Sequence, residues 1–378
     1  MKCGRGQGGL RGAHRGRPPV VAIKIESPEG EQALTDFVLF HDRVYQYRGA
    51  RWTAQVPLQL PILTGESVFC EDRTLKPFLA LEDGEPVARA VALVDQLYIR
   101  HWNEQLGHIV MFEAMPAARD AVKRLMDDAC EWLRSQNVEA ARAGFGLLEF
   151  PFVIDDYESL PPSTSRQNPD YYHNLLKDAG FETEKGWVDY KIKVTPELVT
   201  RYQSALEAAR RAGFSITALK DLDPARRVRD FTSTWNDAFK THWGATPFTE
   251  KEVATLFDFF AAGGGLDTSV IAYRGDEPVG ALMVMPESSE AALLKPGRTL
   301  DDSEKLNFLG IGVRESVRGR GVNLAMASYA YLELIGRGAG YLSYTLVLDD
   351  NWPSRRTAEK LGAKVCANYV VYRRNFNR

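Results

Sequence analysis

The sequence predicts an α/β protein made of two successive units, each with a mixed β-sheet flanked by helices. Its 378 residues, 44% of them apolar, are enough to bury more than one hydrophobic core. The order of strand and helix patterns in the first half also returns in the second half. Finally, both halves end with the same spacing of glycine and aromatic residues. We predict a first unit over residues 20–194, a connecting helix over 195–213 and a second unit over 214–378.

The first unit opens with an apolar segment at 20–25 that is typical of a strand, and apolar residues at helical spacing follow up to position 44. A Glu-Asp-Gly-Glu turn separates the segments 78–81 and 86–91 and predicts a β-hairpin. Further along we predict a strand at 107–113, an amphipathic helix at 122–133, a short helix before Gly180 and a strand at 187–194.

The second unit repeats this order. After a strand at 215–219 and a helix at 226–239, Thr249 and Glu252 have the spacing of a capping box and begin another helix. An Arg-Gly-Asp-Glu turn again predicts a hairpin, between 268–273 and 278–285. The remaining predicted elements are a strand at 305–313, a helix at 323–335, a strand at 341–348, a short helix before Gly362 and a strand at 365–372.

The ends of the two halves match in detail. Gly180 and Gly362 each precede one aromatic residue by seven positions and another by ten. These aromatic residues are Trp187 and Tyr190 in the first half and Tyr369 and Tyr372 in the second. Shared order and shared spacing favour a duplication, even though the two halves have little sequence identity.

The most informative segment is the junction at 311–324, where a strand ends and an amphipathic helix begins after an arginine-glycine turn. The segment reads Ile311-Gly312-Val313 at the strand end and Arg318-Gly319-Arg320-Gly321-Val322-Asn323 at the turn. The first N–H groups of a helix have no partner within the helix and carry the positive end of its dipole. Glycines let this backbone approach a pyrophosphate closely, and the arginines add positive charge. The junction therefore predicts a diphosphate-binding site.

This segment resembles the Arg-x-x-Gly-x-Gly/Ala acyl-CoA loop of the GNAT acetyltransferase superfamily, with Arg318, Gly321 and Asn323 at its defining positions. Asn351 and the segment 359–362 resemble the second helix motif of that family, whose asparagine contacts the pantetheine arm of CoA. The first half resembles the degenerate half of tandem-GNAT bacterial proteins, and the layout is similar to that of mycothiol synthases. The residues that carry this likeness are Asn168-Pro169-Asp170-Tyr171-Tyr172 and Gly180-Phe181.

The resemblance implies two tandem GNAT folds and an acyltransferase that moves an acetyl or other acyl group from acyl-CoA to the amine of a small-molecule acceptor. It implies one CoA site per chain, because the first-half junction at 112–119 has a proline and no glycine. The developing oxyanion is then expected at a backbone N–H near Gly312 or Val313. The expected CoA-binding residues are Ile311, Gly312, Val313, Arg318, Gly319, Arg320, Gly321, Val322, Asn323 and Asn351.

Two positions depart from the family pattern. Asn323 replaces a glycine or alanine, and its small polar side chain can still cap a helix. Ala358 stands where many members have a tyrosine that protonates the departing thiolate, so Tyr372 or a water is the candidate acid.

No motif places the general base. The main candidates are His242 and Asp350, and Asp349 and Glu315 are further candidates. We expect the acceptor to bind against the segment 234–248, with aromatic walls from Trp235 and Trp243.

The composition argues against several other classes of protein. The net charge of −3 falls to −8 without the five positive charges of residues 1–19, which argues against a nucleic-acid partner. Four widely separated cysteines predict neither a metal site nor a disulfide framework. No apolar run approaches the roughly 20 residues that span a bilayer. We expect a cytoplasmic protein with a disordered basic tail at 1–19.

Three alternatives stay open on the sequence alone. Ala358 favours a non-catalytic acyl-CoA-binding or sensor protein. An aminoacyl-tRNA-dependent transferase would also use paired GNAT folds, although the net negative charge of residues 20–378 argues against it. The third alternative is a CoA-independent structural role in a biosynthetic complex.

Overall fold

The computed structural model describes residues 22–163, 165–287 and 289–376, and the tail predicted at 1–19 lies outside these ranges. The first half contains β1 (Ile23–Glu26), α1 (Glu31–Val44), β2 (Ala50–Trp52), α2 (Val56–Leu63), β3 (Arg73–Glu82), β4 (Glu85–Asp95), α3 (Gln96–Trp102), β5 (Leu106–Ala114), α4 (Arg119–Ser135), β6 (Ala140–Ala143), β7 (Phe152–Val153), α5 (Tyr172–Asp178) and β8 (Glu182–Lys193). No described helix is both long and apolar enough to cross a membrane.

The second half repeats the alternation of strands and helices and confirms the predicted order of elements. It contains α6 (Pro196–Arg211), β9 (Phe214–Ala218), α7 (Pro224–Phe239), α8 (Glu250–Ala262), α9 (Gly265–Thr268), β10 (Val270–Arg274), β11 (Glu277–Met285), β12 (Ala292–Leu294), β13 (Phe308–Val313), α10 (Val322–Gly336), β14 (Tyr341–Leu348), α11 (Trp352–Lys360) and β15 (Lys364–Asn375).

Local sequence signals set many of these boundaries. The predicted capping box is confirmed, because Thr249 accepts from the Glu252 N–H at 3.2 Å and Glu252 accepts from the Thr249 N–H at 2.7 Å. Asp223 caps α7, and Pro224 occupies its first turn, where a missing N–H costs nothing. Gly84 and Gly275 adopt the positive φ that the two predicted hairpin turns require.

The final strands of the two halves are exchanged. The large sheet runs in the order β1-β3-β4-β5-β6-β15-β8-β14, with β7 beside β15. The last strand of the chain therefore pairs with β6 of the first half, placing Tyr372 opposite Ala143. Reciprocally, β8 pairs with β14 of the second half, placing Trp187 opposite Leu348. Each predicted terminal strand exists, but it completes the sheet of the other half.

The residues of the two hydrophobic cores show the same strand exchange. Val370 and Tyr372 of β15 are buried in the first core, against α4 and α5. Val188, Tyr190 and Ile192 of β8 are buried in the second core, against α6 and α10. Each core contains apolar side chains from the last strand of the other half. Burial of these side chains therefore stabilises the association of the two halves.

The second sheet has the order β13-β11-β10-β9 and lies beside β14. Side chains bridge the neighbouring strands β13 and β14 at one end only. Thr345 Oγ1 accepts from the Leu309 N–H and donates to the Leu309 carbonyl, both at 2.8 Å. Asn307 makes a similar bridge to the backbone of Ser343. Beyond these bridges, a cavity separates the two strands.

Candidate active site

A cavity of about 1180 Å³ lies between the halves of the molecule. On one side it is lined by β13, by residues 344–347 of β14, by the first turn of α10 and by one face of α11. On the other side it is lined by first-half residues such as Trp52, Met111 and Phe150. Most of the lining side chains are apolar or aromatic. The volume exceeds the roughly 300–1,000 Å³ of usual small-molecule sites, so the cavity has room for more than a compact ligand.

The predicted glycine turn forms one wall of this cavity. Gly319 and Gly321 have φ values of 78° and 83°, a conformation that favours glycine, and an added Cβ at either would meet no atom within 4 Å. Helix α10 begins at Val322 without a side-chain cap, so its first N–H groups are available to an anion. Arg318 also lines the cavity, whereas Arg320 does not.

Asn323 does not cap the helix. Gly321 occupies the N-cap position, and Asn323 is the second residue inside α10. Its Oδ1 atom is buried without a hydrogen-bond partner, and the residue lines the cavity. Asn351 does cap a helix, but the helix is α11: its Oδ1 accepts from the Ser354 N–H at 3.3 Å. Lys360, at the other end of α11, adds a positive charge to the lining.

The open edge of β13 can be identified from the alternation of its backbone groups. The Leu309 N–H donates to the Thr345 hydroxyl of β14, whereas the Arg314 N–H donates to the Val279 carbonyl of β11. Successive residues of a strand direct their N–H groups to opposite edges. The N–H groups of Ile311 and Val313 therefore point to the cavity side, and that of Gly312 points to β11. This corrects the expectation that Gly312 supplies an oxyanion donor.

The glycines of β13 serve the packing of α7 instead. A Cβ at Gly310 would lie 2.7 Å from the Trp235 ring, and one at Gly312 would lie 2.7 Å from the Phe239 ring. Such distances are far below ordinary contact, so only glycine lets α7 approach the strand this closely. Alternate glycines in a strand are a sequence signal for this close approach.

The corresponding strand edge in the first half is already occupied. β5 pairs in parallel with β6 only as far as Ile109. Beyond that point the Met111 N–H donates to the Glu149 carboxylate at 2.7 Å, and Arg166 donates to the Phe112 carbonyl. The Ala114 N–H donates to the Tyr172 hydroxyl at 2.8 Å. Side chains of the first half therefore fill the edge that lies open in the second half.

An aromatic compartment lies next to the open edge. The ring of His242 lies 5.3 Å from that of Phe239 and 5.8 Å from that of Trp187, which stacks on Phe145 at 5.1 Å. All four residues line the cavity, as does Trp235. Burial lowers the pKa of His242 to about 4, so its imidazole is neutral at physiological pH. Trp243 was also expected there, but it does not line the cavity and stacks against Arg142, 4.3 Å away.

Two predicted catalytic residues lie elsewhere. Tyr372 is buried in the first core, where its hydroxyl is hydrogen-bonded to His173 Nδ1 at 2.8 Å, so it cannot serve as the acid. This error follows from the strand exchange. Asp350 is exposed and paired with Lys185 at 2.5 Å, a contact that lowers the pKa of its carboxyl. Neither residue lines the cavity.

The structure brings one unpredicted pair of hydroxyls to the cavity. Tyr344 on β14 and Ser354 on α11 both line it, and their hydroxyl oxygens are 3.0 Å apart. Burial raises the pKa of Tyr344 to about 12, which keeps the phenol protonated. Ala358, by contrast, is fully buried in the second core. Among the described residues, no cluster of histidine, cysteine and acidic side chains is arranged to hold a metal ion.

No family model matches the chain. A bacterial ceramide synthase from Caulobacter vibrioides is 24% identical over 332 residues, which are 80% of this chain and 84% of that protein. Protein YghO from Escherichia coli is 22% identical over 217 residues, 57% of this chain. The match spans only 55% of the length of YghO.

Solved structures show the fold. A tandem GNAT protein from the clavulanic acid biosynthesis pathway superposes with a TM-score of 0.55 at 11% identity, covering 95% of this chain and 99% of its own. A GCN5-related N-acetyltransferase from Sphaerobacter thermophilus gives 0.56 at 13% identity, covering 94% and 96%. A GCN5-related glucosamine N-acetyltransferase region of a fungal multi-domain protein gives 0.59 at 15%, covering 94% of this chain but 38% of that protein. The predicted tandem GNAT fold is therefore confirmed.

Proposed function

We propose that this chain, with its two GNAT folds, is an N-acyltransferase that moves an acyl group from acyl-CoA to an amine bearing a long apolar chain. One observation carries the proposal: the open edge of β13 and the glycine turn before α10 border a large apolar cavity that both halves line. A pyrophosphate fits the turn, and a pantetheine arm fits the strand edge. Its thioester would then lie where β13 and β14 separate.

The charges at the turn suit CoA. Arg318 lies in the turn before α10, whose first N–H groups have no side-chain cap, and Lys360 adds a second positive charge to the cavity lining. We propose a single CoA site in the second half, because Glu149 and Arg166 occupy the equivalent strand edge of the first.

The reaction we propose is direct attack. The amine nitrogen bonds to the thioester carbonyl carbon, and the oxyanion accepts a hydrogen bond from the N–H of Ile311 or Val313. The C–S bond then breaks, and the thiolate takes a proton from the Tyr344–Ser354 hydroxyl pair. The amine proton leaves to neutral His242 or to water. Tyr344 and Ser354 thereby take the role of the tyrosine that many family members have at the position of Ala358.

The long acceptor is supported by two independent observations. The cavity extends past the reacting edge to first-half side chains that include the apolar Leu147, Leu148 and Phe150, beside the buried ion pairs Arg73–Asp95 and Arg166–Glu149. The match to a bacterial ceramide synthase covers 80% of this chain and 84% of that protein, and a ceramide is an N-acylated long-chain amino alcohol. A short, fully polar acceptor would leave this apolar surface uncovered.

The test is a transfer assay with the purified full-length chain. Acetyl-CoA and palmitoyl-CoA are each offered with 2-aminooctadecane-1,3-diol and with its short analogue 2-aminopropane-1,3-diol. We expect an amide product and free CoA in equal amounts, with kcat/KM at least ~10-fold higher for the long amine, since each buried CH₂ contributes about 0.8 kcal/mol. Release of CoA without an amide would contradict the proposal.

A non-catalytic acyl-CoA-binding protein is the second candidate, favoured by the buried Ala358. The same assay separates the two functions. A catalyst turns over, and its Tyr344→Phe, Ser354→Ala double variant should lose roughly 10²-fold or more in kcat while it still binds acyl-CoA. A binder binds acyl-CoA and forms no amide with any acceptor.

A further inference from the structure

We propose that the uncharged opening of the cavity is a membrane-docking surface, which rests on a phospholipid bilayer and receives the long-chain amine from it. This inference rests on the proposed function and deepens it, because it states where the acceptor comes from. Its basis is that residues at two separate places both line the cavity and are exposed to solvent. One of these openings is basic, and the other carries no charge.

The basic opening lies at the glycine turn. Arg318, Gly319 and Gly321 line the cavity, and all three residues are exposed. The arginine and the uncapped start of α10 suit the phosphates of CoA. The donor therefore has its own way into the cavity.

The second opening lies at the other end of β13. Phe259 and Gly263, at the end of α8, line the cavity and are exposed. A Cβ at Gly263 would lie 3.9 Å from Met285, which pairs with Phe308 at the start of β13. The glycine turn follows Val313 at the end of this strand, so the two openings are separated by about 17 Å of strand. The acceptor can therefore enter without crossing the path of CoA.

Uncharged segments border this second opening, and each contributes residues to the cavity lining. They are residues 53–65, 259–266 and 291–294. The first contains α2, whose Ile62 is buried in the same cluster as Phe260 of α8. The third contains β12, which pairs with β2 and places Ala292 opposite Trp52, a lining residue. Since 26% of the whole chain is charged, so much uncharged sequence around one opening is unusual.

Apolar side chains of these segments are exposed to solvent. Phe259 is 37% exposed, and Leu293 and Leu294 are 39% and 40% exposed. Pro57 of α2 is exposed as well, and Leu58 is half-buried. Clustered apolar side chains at a surface are typical of binding sites.

A bilayer is the partner that fits this surface. Its interior accepts apolar side chains and strongly disfavours charged ones, and the segments around the opening have the first kind and none of the second. A long-chain amine also partitions into a bilayer, because its chain is poorly accommodated by water. The uncharged opening therefore faces the phase in which the proposed acceptor is found.

The test is flotation of the purified full-length chain with phosphatidylcholine vesicles. We expect wild type to float at low and at high NaCl concentration, because salt screens charge interactions and not apolar burial. The double variant Leu293→Glu, Leu294→Glu lies outside the cavity lining and should bind at least ~10-fold less well. The matched control is Ile154→Glu, Val365→Glu, at positions 45% and 44% exposed that also lie outside the lining. The control should float like wild type.

Transfer from acetyl-CoA separates docking from catalysis. With 2-aminooctadecane-1,3-diol held in phosphatidylcholine vesicles, Leu293→Glu, Leu294→Glu should lose about 10-fold in kcat/KM, in proportion to its weaker vesicle binding. With dissolved 2-aminodecane the same variant should match wild type. Absence of transfer with both amines would contradict the proposed function, and flotation would still decide the docking surface.

Four results would overturn the inference and leave the proposed function standing. The first three are wild type that does not float, flotation that disappears at high salt, and a double variant that floats like wild type. The fourth is a wild-type dimer in analytical ultracentrifugation that does not float and that Leu293→Glu, Leu294→Glu dissociates. That result would assign the surface to a second copy of the chain.

Discussion

At the scale of single residues, Gly321 has a positive φ and precedes the first residue of α10, where we propose that the pyrophosphate binds. Gly321→Glu places a carboxylate where we propose the pyrophosphate, and we expect acetyl-CoA affinity to fall at least ~100-fold through charge repulsion. The residue has a positive φ of 83°, so the change also strains the backbone by about 1–2 kcal/mol. Calorimetric titration with acetyl-CoA measures the loss.

Gly338 is a matched control for this strain. It follows the other end of α10, has a φ of 93° and would meet no atom within 4 Å if it carried a Cβ. Gly338→Glu should therefore lower stability to a similar extent and leave acetyl-CoA affinity unchanged. If both variants bind acetyl-CoA equally well, the glycine turn is not the pyrophosphate site.

His242 should have a measurable effect on stability in acid. Its folded pKa of about 4 lies below its ordinary value of 6.5, so the unfolded chain binds more protons between these pH values. This contribution to stability is fully present above pH 6.5 and is lost as the pH falls toward 4. Urea unfolding at pH 7 and pH 4.5 should show wild type losing about 2 kcal/mol more than His242→Asn. Equal losses would mean that His242 is solvated.

Residue-level prediction succeeded for local backbone conformation, which depends on neighbours in the chain. The turn at Gly319 and Gly321 could be predicted because a strand, glycines and a helix follow directly along the sequence. Tyr372 and Trp187 could not be placed, because their surroundings come from a strand exchange that no local pattern encodes.

At the scale of elements, a bulge in β14 shapes the opening between β13 and β14. Leu346 has a φ of 49°, and the pairing register with β8 shifts between Tyr344 and Val347. Asp189 of β8 stabilises this bulge, because its carboxylate accepts from the Leu346 N–H at 2.5 Å and from the Tyr369 hydroxyl at 3.0 Å. Burial raises the pKa of this carboxyl to about 7. The exchanged strand thus supports the site of the other half.

Asp189→Ala should remove this support. Two buried donors would lose their acceptor, and we expect the free energy of unfolding to fall by about 2–4 kcal/mol. Asp189→Asn keeps an acceptor oxygen for Leu346 and should cost less than half as much. Urea denaturation at pH 7 measures both. Equal stability of the alanine variant and wild type would show that the bulge does not depend on Asp189.

Element prediction was successful wherever periodicity was strong. Helix α4 and the hairpin of β3 and β4 were found because their apolar residues repeat with clear periods. The short strand β6 was missed because its sequence, Ala-Ala-Arg-Ala, has no β-branched residue. Helix α2 was missed because Pro61 lies inside it and argues against a helix in isolation, whereas Pro57 lies in its first turn, where proline is tolerated.

At the scale of the whole molecule, the strand exchange makes one cavity from two halves. Hydrophobic periodicity predicts which face of a strand is buried, but it does not identify the strand that pairs with it. The sequence therefore predicted two self-contained sheets, whereas β8 and β15 each complete the sheet of the other half. Because of this exchange, Trp187 lies beside His242.

The central claim is that one chain holds one acyl-CoA and binds the apolar chain of the acceptor amine in the shared cavity. Calorimetric titration tests it most directly: the chain is first titrated with an unreactive thioether analogue of acetyl-CoA, and the loaded chain is then titrated with 2-aminodecane and with 2-aminopropane. We predict one CoA site per chain and at least ~100-fold tighter binding of 2-aminodecane, since each buried CH₂ contributes about 0.8 kcal/mol. Two equivalent CoA sites, or equal affinity for both amines, would contradict the claim.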